Sequence, residues 1–234
     1  MSARARPGRH ERVGDGEHSV VWRRPGSRWC VQTFHRDCVS LTPAKVDAEY
    51  HYLLRVYARL PGLIPAQRLF TPRPDAPITE ALLVKRWIEV DPDRPLGRTP
   101  AAGLPASALA DLHLFVALTR DLLARAGREP TLLPDIIDTR FQNLAVDVAG
   151  RLRLLDTNRL INTNALRALP PGATLDPQTH PIHTRLLRRL MYLQVAFTAT
   201  SRAGLATDPL YRRYLTPTTR AWLCEQSRAD GEPI

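Results

Sequence analysis

The chain has 234 residues, 44% of them hydrophobic and 24% charged, enough to bury one large core or two small ones. No apolar run approaches a membrane-spanning length, the basic start Met1 to His10 lacks the apolar stretch of a secretory leader, and three scattered cysteines (Cys30, Cys38, Cys224) make neither a disulfide framework nor a zinc site. The formal net charge is +10, carried by arginine: only Lys45 and Lys85 are lysines among 33 basic residues.

Such charge favours polyanions, including nucleotides, nucleic acid and acidic head groups. No aromatic-interleaved basic stripe, zinc-finger spacing or helix-turn-helix pattern marks a nucleic-acid binder. A nucleic-acid partner is therefore not the expectation. The composition fits a reducing, cytoplasmic setting, or export as an effector without a cleaved signal.

Residues 1–11 are Arg-rich, contain Pro7 and Gly8, and read as a flexible basic tail. Gly14 and Gly16 flank Asp15 ahead of the β-branched run Ser19-Val20-Val21-Trp22, and Trp29 to Phe34 follows a Pro25-Gly26 turn. This predicts three short strands, or two with a wide turn. Glycines in such a loop let backbone N–H groups approach phosphates unobstructed. A plain hairpin turn is the alternative.

Residues 43–60 are predicted to be a helix, with Thr42 as N-cap and Pro43 in the first turn. Val46, Tyr50, Leu53, Leu54 and Tyr57 form one apolar face. Glu49 on this helix either pairs with Lys45 one turn back or is a solvated charge. Strands are expected over Leu63 to Phe70 and Ala81 to Val90, separated by a Pro-rich turn at 71–77. Residues 91–105 hold four prolines and two glycines, and read as a linker between two lobes. The strongest helix spans 107–126, with Leu109, Leu112, Phe115, Val116, Leu118, Leu122 and Leu123 as its apolar face. His113 within it reads as structural.

The informative stretch runs from Asp138 to Asp156. Leu144-Ala-Val146 and Leu152 to Leu155 are apolar strands, and Gly150 lies in the turn between them. A hairpin brings its ends together, so Asn143 and Asp156 should meet. An amide oxygen and a carboxylate at one mouth suit a hard cation such as Mg²⁺. Asp138 stands nearby, with Asp135 as a rival for the same role. Beyond the hairpin, 157–164 and 170–181 read as loops, Pro181 to Ser201 as a helix whose Arg185, Arg188 and Arg189 form a solvated basic face, and Asp208 to Gln226 as a last helical piece broken at Pro217.

The order of these features resembles the protein-kinase-like superfamily, over residues 12 to about 200. Glycine turn, strands, helix with a glutamate, two strands, linker, long helix, Asp, hairpin and Asp follow one another as they do there. The resemblance is to a small bacterial member, similar to lipopolysaccharide (Kdo-type) kinases or compact effector-type kinases. It implies an α+β bilobal fold: an antiparallel β-rich N-lobe (12–90), the linker (91–105) and a mainly helical C-lobe (106–234).

It also implies an ATP-dependent phosphotransferase acting on a hydroxyl of a protein or sugar. Asp138 would be the catalytic base, and Asn143 and Asp156 the ligands of Mg. Gly14, Gly16, Val21, Gln32 and Glu49 would surround the nucleotide. The departures are specific. Ile136-Ile137 replaces the family's His-Arg, and Thr157-Asn158 replaces its Phe-Gly. Gln32 stands where a strand lysine is expected, and Ser19 where a third glycine is. Lys45, Arg23, Arg24 and Arg36 are candidates for the missing charge. The alternatives are a pseudokinase that binds or regulates, and an enzyme that transfers AMP.

Overall fold

A computed structural model describes residues 10–16, 18–35, 41–138 and 140–229, the side chains of 224–229 excepted. Most of the basic tail, Arg36 and Cys38 lie outside the described residues. The chain begins with three antiparallel strands, β1 (Glu11–Asp15), β2 (Ser19–Arg23) and β3 (Trp29–Phe34). Glu11, placed by sequence in the tail, is thus the first residue of β1. Helix α1 (Pro43–Val56) crosses to β4 (Gln67–Phe70) and β5 (Leu82–Arg86), and the five strands form one sheet in the order β1-β2-β3-β5-β4.

Thr42 caps α1 as expected, its hydroxyl accepting the Lys45 N–H at 3.1 Å. The helix stops at Val56 rather than residue 60, because Tyr57 leaves helical geometry as its C-cap and Pro61 follows. Both predicted strands are shorter than 63–70 and 81–90. Residues 63–66 run irregularly under the hairpin described below, and a 3₁₀ turn, Ile78–Glu80, leads into β5.

Helix α1 joins two apolar clusters. Val46 packs under the sheet with Phe34, Leu41, Ile78, Ala81 and Leu83. Leu53 and Tyr57 enter the larger core. There Tyr57 stacks on Phe115 with ring centroids 5.3 Å apart, and its hydroxyl bonds Thr119 Oγ1 at 2.8 Å. Leu54, expected on the apolar face, is 40% exposed, since that face is narrower than its spacing suggests.

The larger core is built on α2 (Ala106–Arg125) and α4 (Pro181–Phe197). Between them the chain forms β6 (Leu132–Leu133), the hairpin β7 (Leu144–Val146) and β8 (Leu152–Leu154), β9 (Ile161–Asn162) and α3 (Asn164–Ala168). Strands β6 and β9 pair, so the loop expected at 157–164 includes a strand. The chain ends in α5 (Arg202–Thr207), α6 (Pro209–Tyr214) and α7 (Pro217–Ala229). The expected break at Pro217 is the boundary of α6 and α7.

The Pro-rich segment 91–105 is packed down. Leu96 and Leu104 are buried, and the Leu96 carbonyl accepts the Tyr192 hydroxyl. The expected basic face of α4 is only partly solvated. Arg185 is exposed, but Arg189 is buried, because α4 is central and surrounded on most sides. Among the described residues, no helix is long and apolar enough to cross a membrane.

Candidate active site

The site begins with the hairpin. Gly150 turns it at φ 74°, a backbone region costly for other residues. A side chain there would also press on Pro105, 3.1 Å from the added carbon, and the Gly150 carbonyl accepts the Ser107 hydroxyl at 2.7 Å. The turn is thereby pinned to the start of α2. Asp111 of α2 then holds the second strand, accepting from Arg151 Nε at 2.7 Å and from the Leu152 N–H at 3.2 Å. At the open end, the Leu155 N–H donates to the Asn143 carbonyl at 2.8 Å. The expected meeting of the two ends therefore occurs, with Asp156 one residue beyond that bond.

The loop before the hairpin is tightly bonded. Asp138 accepts the N–H of Arg140 at 2.8 Å through one oxygen and the N–H of Gln142 through the other. Phe141 adopts φ 51° and is buried. Its ring stacks on Tyr192 of α4, centroids 5.5 Å apart, and the Arg189 guanidinium lies over the ring, 5.9 Å from its centroid. Arg189 also donates to the Ile137 carbonyl at 3.4 Å. The buried arginine thus supports the backbone just ahead of Asp138.

The Asn143 side chain reaches back to the Asp135 carbonyl at 3.1 Å. Burial raises the Asp135 carboxyl above its usual range, and the nearby charges of Asp156 and Asp138 push the same way. The three carboxylates therefore share one neighbourhood.

The segment after Asp156 is fastened from three sides. One Asp156 oxygen accepts the Asn158 N–H at 3.0 Å. Thr157 donates to Gln67 of β4 at 2.6 Å. Glu49 of α1 accepts the Leu160 N–H at 3.3 Å. Glu49 is 4% exposed, which rules out a solvated charge. Lys45 approaches it at 3.9 Å, the pairing expected from their spacing. Burial nonetheless raises the Glu49 carboxyl, only partly offset by Leu160 and Lys45.

That raised carboxyl has a consequence for stability. Below about pH 4 the group is neutral both folded and unfolded. As pH rises through its native pKa, ionisation in the buried site costs stability. Glu49→Gln keeps an oxygen for the Leu160 N–H and removes that cost. Calorimetry should show the variant melting a few degrees higher at pH 8 (about 2–4 °C per kcal/mol for a chain this size) with no gain at pH 4.

Two cavities meet under the sheet. The larger, about 460 Å³, is lined by Val21, Cys30, Lys85, Leu155 and the segment 86–90 that follows β5. The smaller, about 90 Å³, is lined by Gly16, Ser19, Asp156, Asn158 and Arg159. Gln32 borders both, and its amide donates to Ser19 Oγ at 2.7 Å. Val21, Gly16, Gln32 and Asp156 are therefore brought together, while Glu49 stands behind Leu160. Gly14 sits in β1 opposite Val21. A methyl there would meet Val21 at 3.4 Å, an ordinary contact, so sterics do not demand glycine.

Two residues with conspicuous chemistry escaped the sequence reading. Asn158 is 3% exposed, and among the described residues neither its amide nitrogen nor its oxygen has a hydrogen-bond partner. Lys85 is 8% exposed, and its ammonium donates to the Leu155 carbonyl at 2.9 Å. Burial lowers the Lys85 pKa, and the nearby Asp156 charge raises it. The available signal was composition: one of only two lysines lies in the apolar run Leu82-Leu83-Val84-Lys85.

Of the named candidates for the missing charge, Arg23 packs its guanidinium over Trp87, 4.5 Å from the ring centroid, and bonds the Ser27 carbonyl. Lys45 faces Glu49, and Arg24 is exposed.

No protein-family model matches the chain, and no curated protein does. Similar solved structures exist. A microcompartment-associated aminopropanol kinase matches 97% of this chain and 94% of its own, at 12% identity and a TM-score of 0.40. WbdD matches 93% of this chain and 44% of its own, at 12% identity and a TM-score of 0.39; it has also been crystallised with a kinase inhibitor. The choline kinase LicA from Streptococcus pneumoniae matches 94% and 93%, at 11% identity and a TM-score of 0.36. These likenesses are too distant to assign an activity, which has to be argued from the residues. The chain is α+β, a small antiparallel sheet beside a mainly helical body, and two of these similar structures are of kinases.

Proposed function

We propose that the chain is an ATP-dependent phosphotransferase acting on a hydroxyl acceptor. One observation carries this reading. The Leu155–Asn143 bond sets Asp156 beside Asn143, on the floor of a cavity that Gly16 and Ser19 also line. A larger cavity, with room for a nucleoside, adjoins it beside segment 86–90.

The donor set fits a magnesium nucleotide. Asp156, Asn143 and Asn158 offer oxygens, and the unbonded Asn158 amide in the cavity wall is a group that a cation or phosphate would satisfy. Among the described residues, no three His, Cys, Asp or Glu form a metal cage. Mg²⁺ commonly completes its shell with water and phosphate oxygens instead, and when bound it neutralises phosphate charge.

The chain's own residues do the remaining work. Asn143 and Asp156 hold the metal nucleotide. Asp138, fixed by two backbone N–H groups, orients the acceptor hydroxyl and takes its proton. Most of the acceleration comes from positioning and charge neutralisation. The charge balance also suits a polyanionic substrate. The apposition of Asp138, Asn143 and Asp156 favours catalysis over a binding-only scaffold, which has no chemical need of all three.

The test is thermal stability with ATP and Mg²⁺, separately and together. A rise that requires both is expected, since a ligand at one hundred times its Kd stabilises by about 2.7 kcal/mol. No rise at saturating ATP and Mg²⁺ would sink the proposal. Labelled ATP then separates the two transfers: label from the γ position marks phosphate transfer, and label from the α position marks AMP transfer.

A further inference from the structure

We propose, building on the nucleotide site above, that Lys85 of β5 supplies the cation for the nucleotide's phosphates that β3 lacks. In the antiparallel register of β3 and β5, Cys30 lies opposite Lys85 and Gln32 opposite Leu83. Cross-strand partners and alternate residues share a face, so Gln32 and Lys85 are diagonal neighbours turned toward the helical body. Diagonal neighbours are about 7–8 Å apart in a sheet. The charge missing at Gln32 is thus present two pairs along, on the adjacent strand.

The Lys85 ammonium spans the cavity to the Leu155 carbonyl at 2.9 Å, the residue before Asp156. An ammonium has three donors, and among the described residues this one shows a single hydrogen bond. Burial of this cation is offset only in part by the Leu155 carbonyl and the nearby Asp156 charge, so it gains from an added anion. A phosphate arriving at Asp156 would accept the remaining donors. Arg159 also lines the smaller cavity but is exposed, so its charge is largely screened. Gln32, bonded to Ser19, orients the turn that covers the phosphates.

The experiment compares binding of ATP with Mg²⁺ and binding of adenosine in wild type, Lys85→Met and the double variant Gln32→Lys/Lys85→Met. Methionine fills the lysine's volume without its charge, so Lys85→Met should fold and melt no lower than wild type. Its ATP affinity should fall at least tenfold while adenosine affinity stays within about twofold. The double variant, with the charge moved two pairs along, should recover a measurable part of the loss.

Unchanged ATP affinity in Lys85→Met, or equal losses for ATP and adenosine, would overturn the assignment; equal losses would make Lys85 a wall of the cavity. Should wild type itself bind no ATP, the phosphotransferase proposal falls and this one with it. Wild-type binding with an indifferent Lys85→Met removes Lys85 alone.

Discussion

Asp138→Ala should lower kcat by about 10²- to 10⁴-fold, the usual worth of a positioned general base, while ATP still raises the melting temperature as in wild type. Asp156→Ala should instead abolish the Mg²⁺-dependent part of that rise. The contrast follows from where each carboxylate sits. Asp138 lies in a turn of its own, bonded to Arg140 and Gln142. Asp156 lies against the smaller cavity with Asn158. Single-turnover transfer of labelled phosphate and calorimetric titration of ATP, each on both variants, measure the two effects.

Asp135→Asn is the necessary companion. Asp135 lies within electrostatic reach of Asp156 and Asp138, and its backbone carbonyl is held by Asn143. A kcat loss under tenfold in Asp135→Asn leaves the base role with Asp138. A larger loss there, with a small one in Asp138→Ala, transfers the role to Asp135.

Phe141→Ala should destabilise the fold by about 3–5 kcal/mol, the usual cost of emptying a buried phenylalanine site. For a chain of this size that is a fall in Tm of about 6–20 °C. The ring is buried against Tyr192 and the Arg189 guanidinium, so its removal takes the support from both. The left-handed backbone refines the prediction. At φ 51° alanine keeps the strain and glycine relieves about 1–2 kcal/mol of it. Phe141→Gly should therefore be less destabilising than Phe141→Ala, despite removing one carbon more. Urea midpoints at an unchanged m-value would show the difference, and the opposite order would mean the loop relaxes once the ring is gone.

The parts of this architecture that follow local rules were legible in the chain. Thr42 and Pro43 announce α1, and Gly150 between two apolar runs announces the hairpin that carries Asn143 to Asp156. Lys85 was not legible, because its facing depends on which strand lies beside β3. That choice is made by pairing between residues 55 apart, such as Cys30 and Lys85, and not by any local pattern. Arg189 was missed for a related reason. Helical spacing placed it beside Arg185 and Arg188, yet burial was decided by what packs around α4. Glu49 was legible as a residue of interest, and so was its pairing with Lys45 on its own helix. Its bond to the Leu160 N–H, far along the chain, was not.

That contact makes α1 a lever. Glu49 of α1 grips main chain four residues past Asp156. Any displacement of α1 must carry the 158–160 backbone with it or break the Leu160 bond. The orientation of the helix and the shape of the mouth beside Asp156 are therefore a single mechanical coordinate. Amide exchange at Leu160 is its gauge, slow while helix and mouth are engaged and fast when they part.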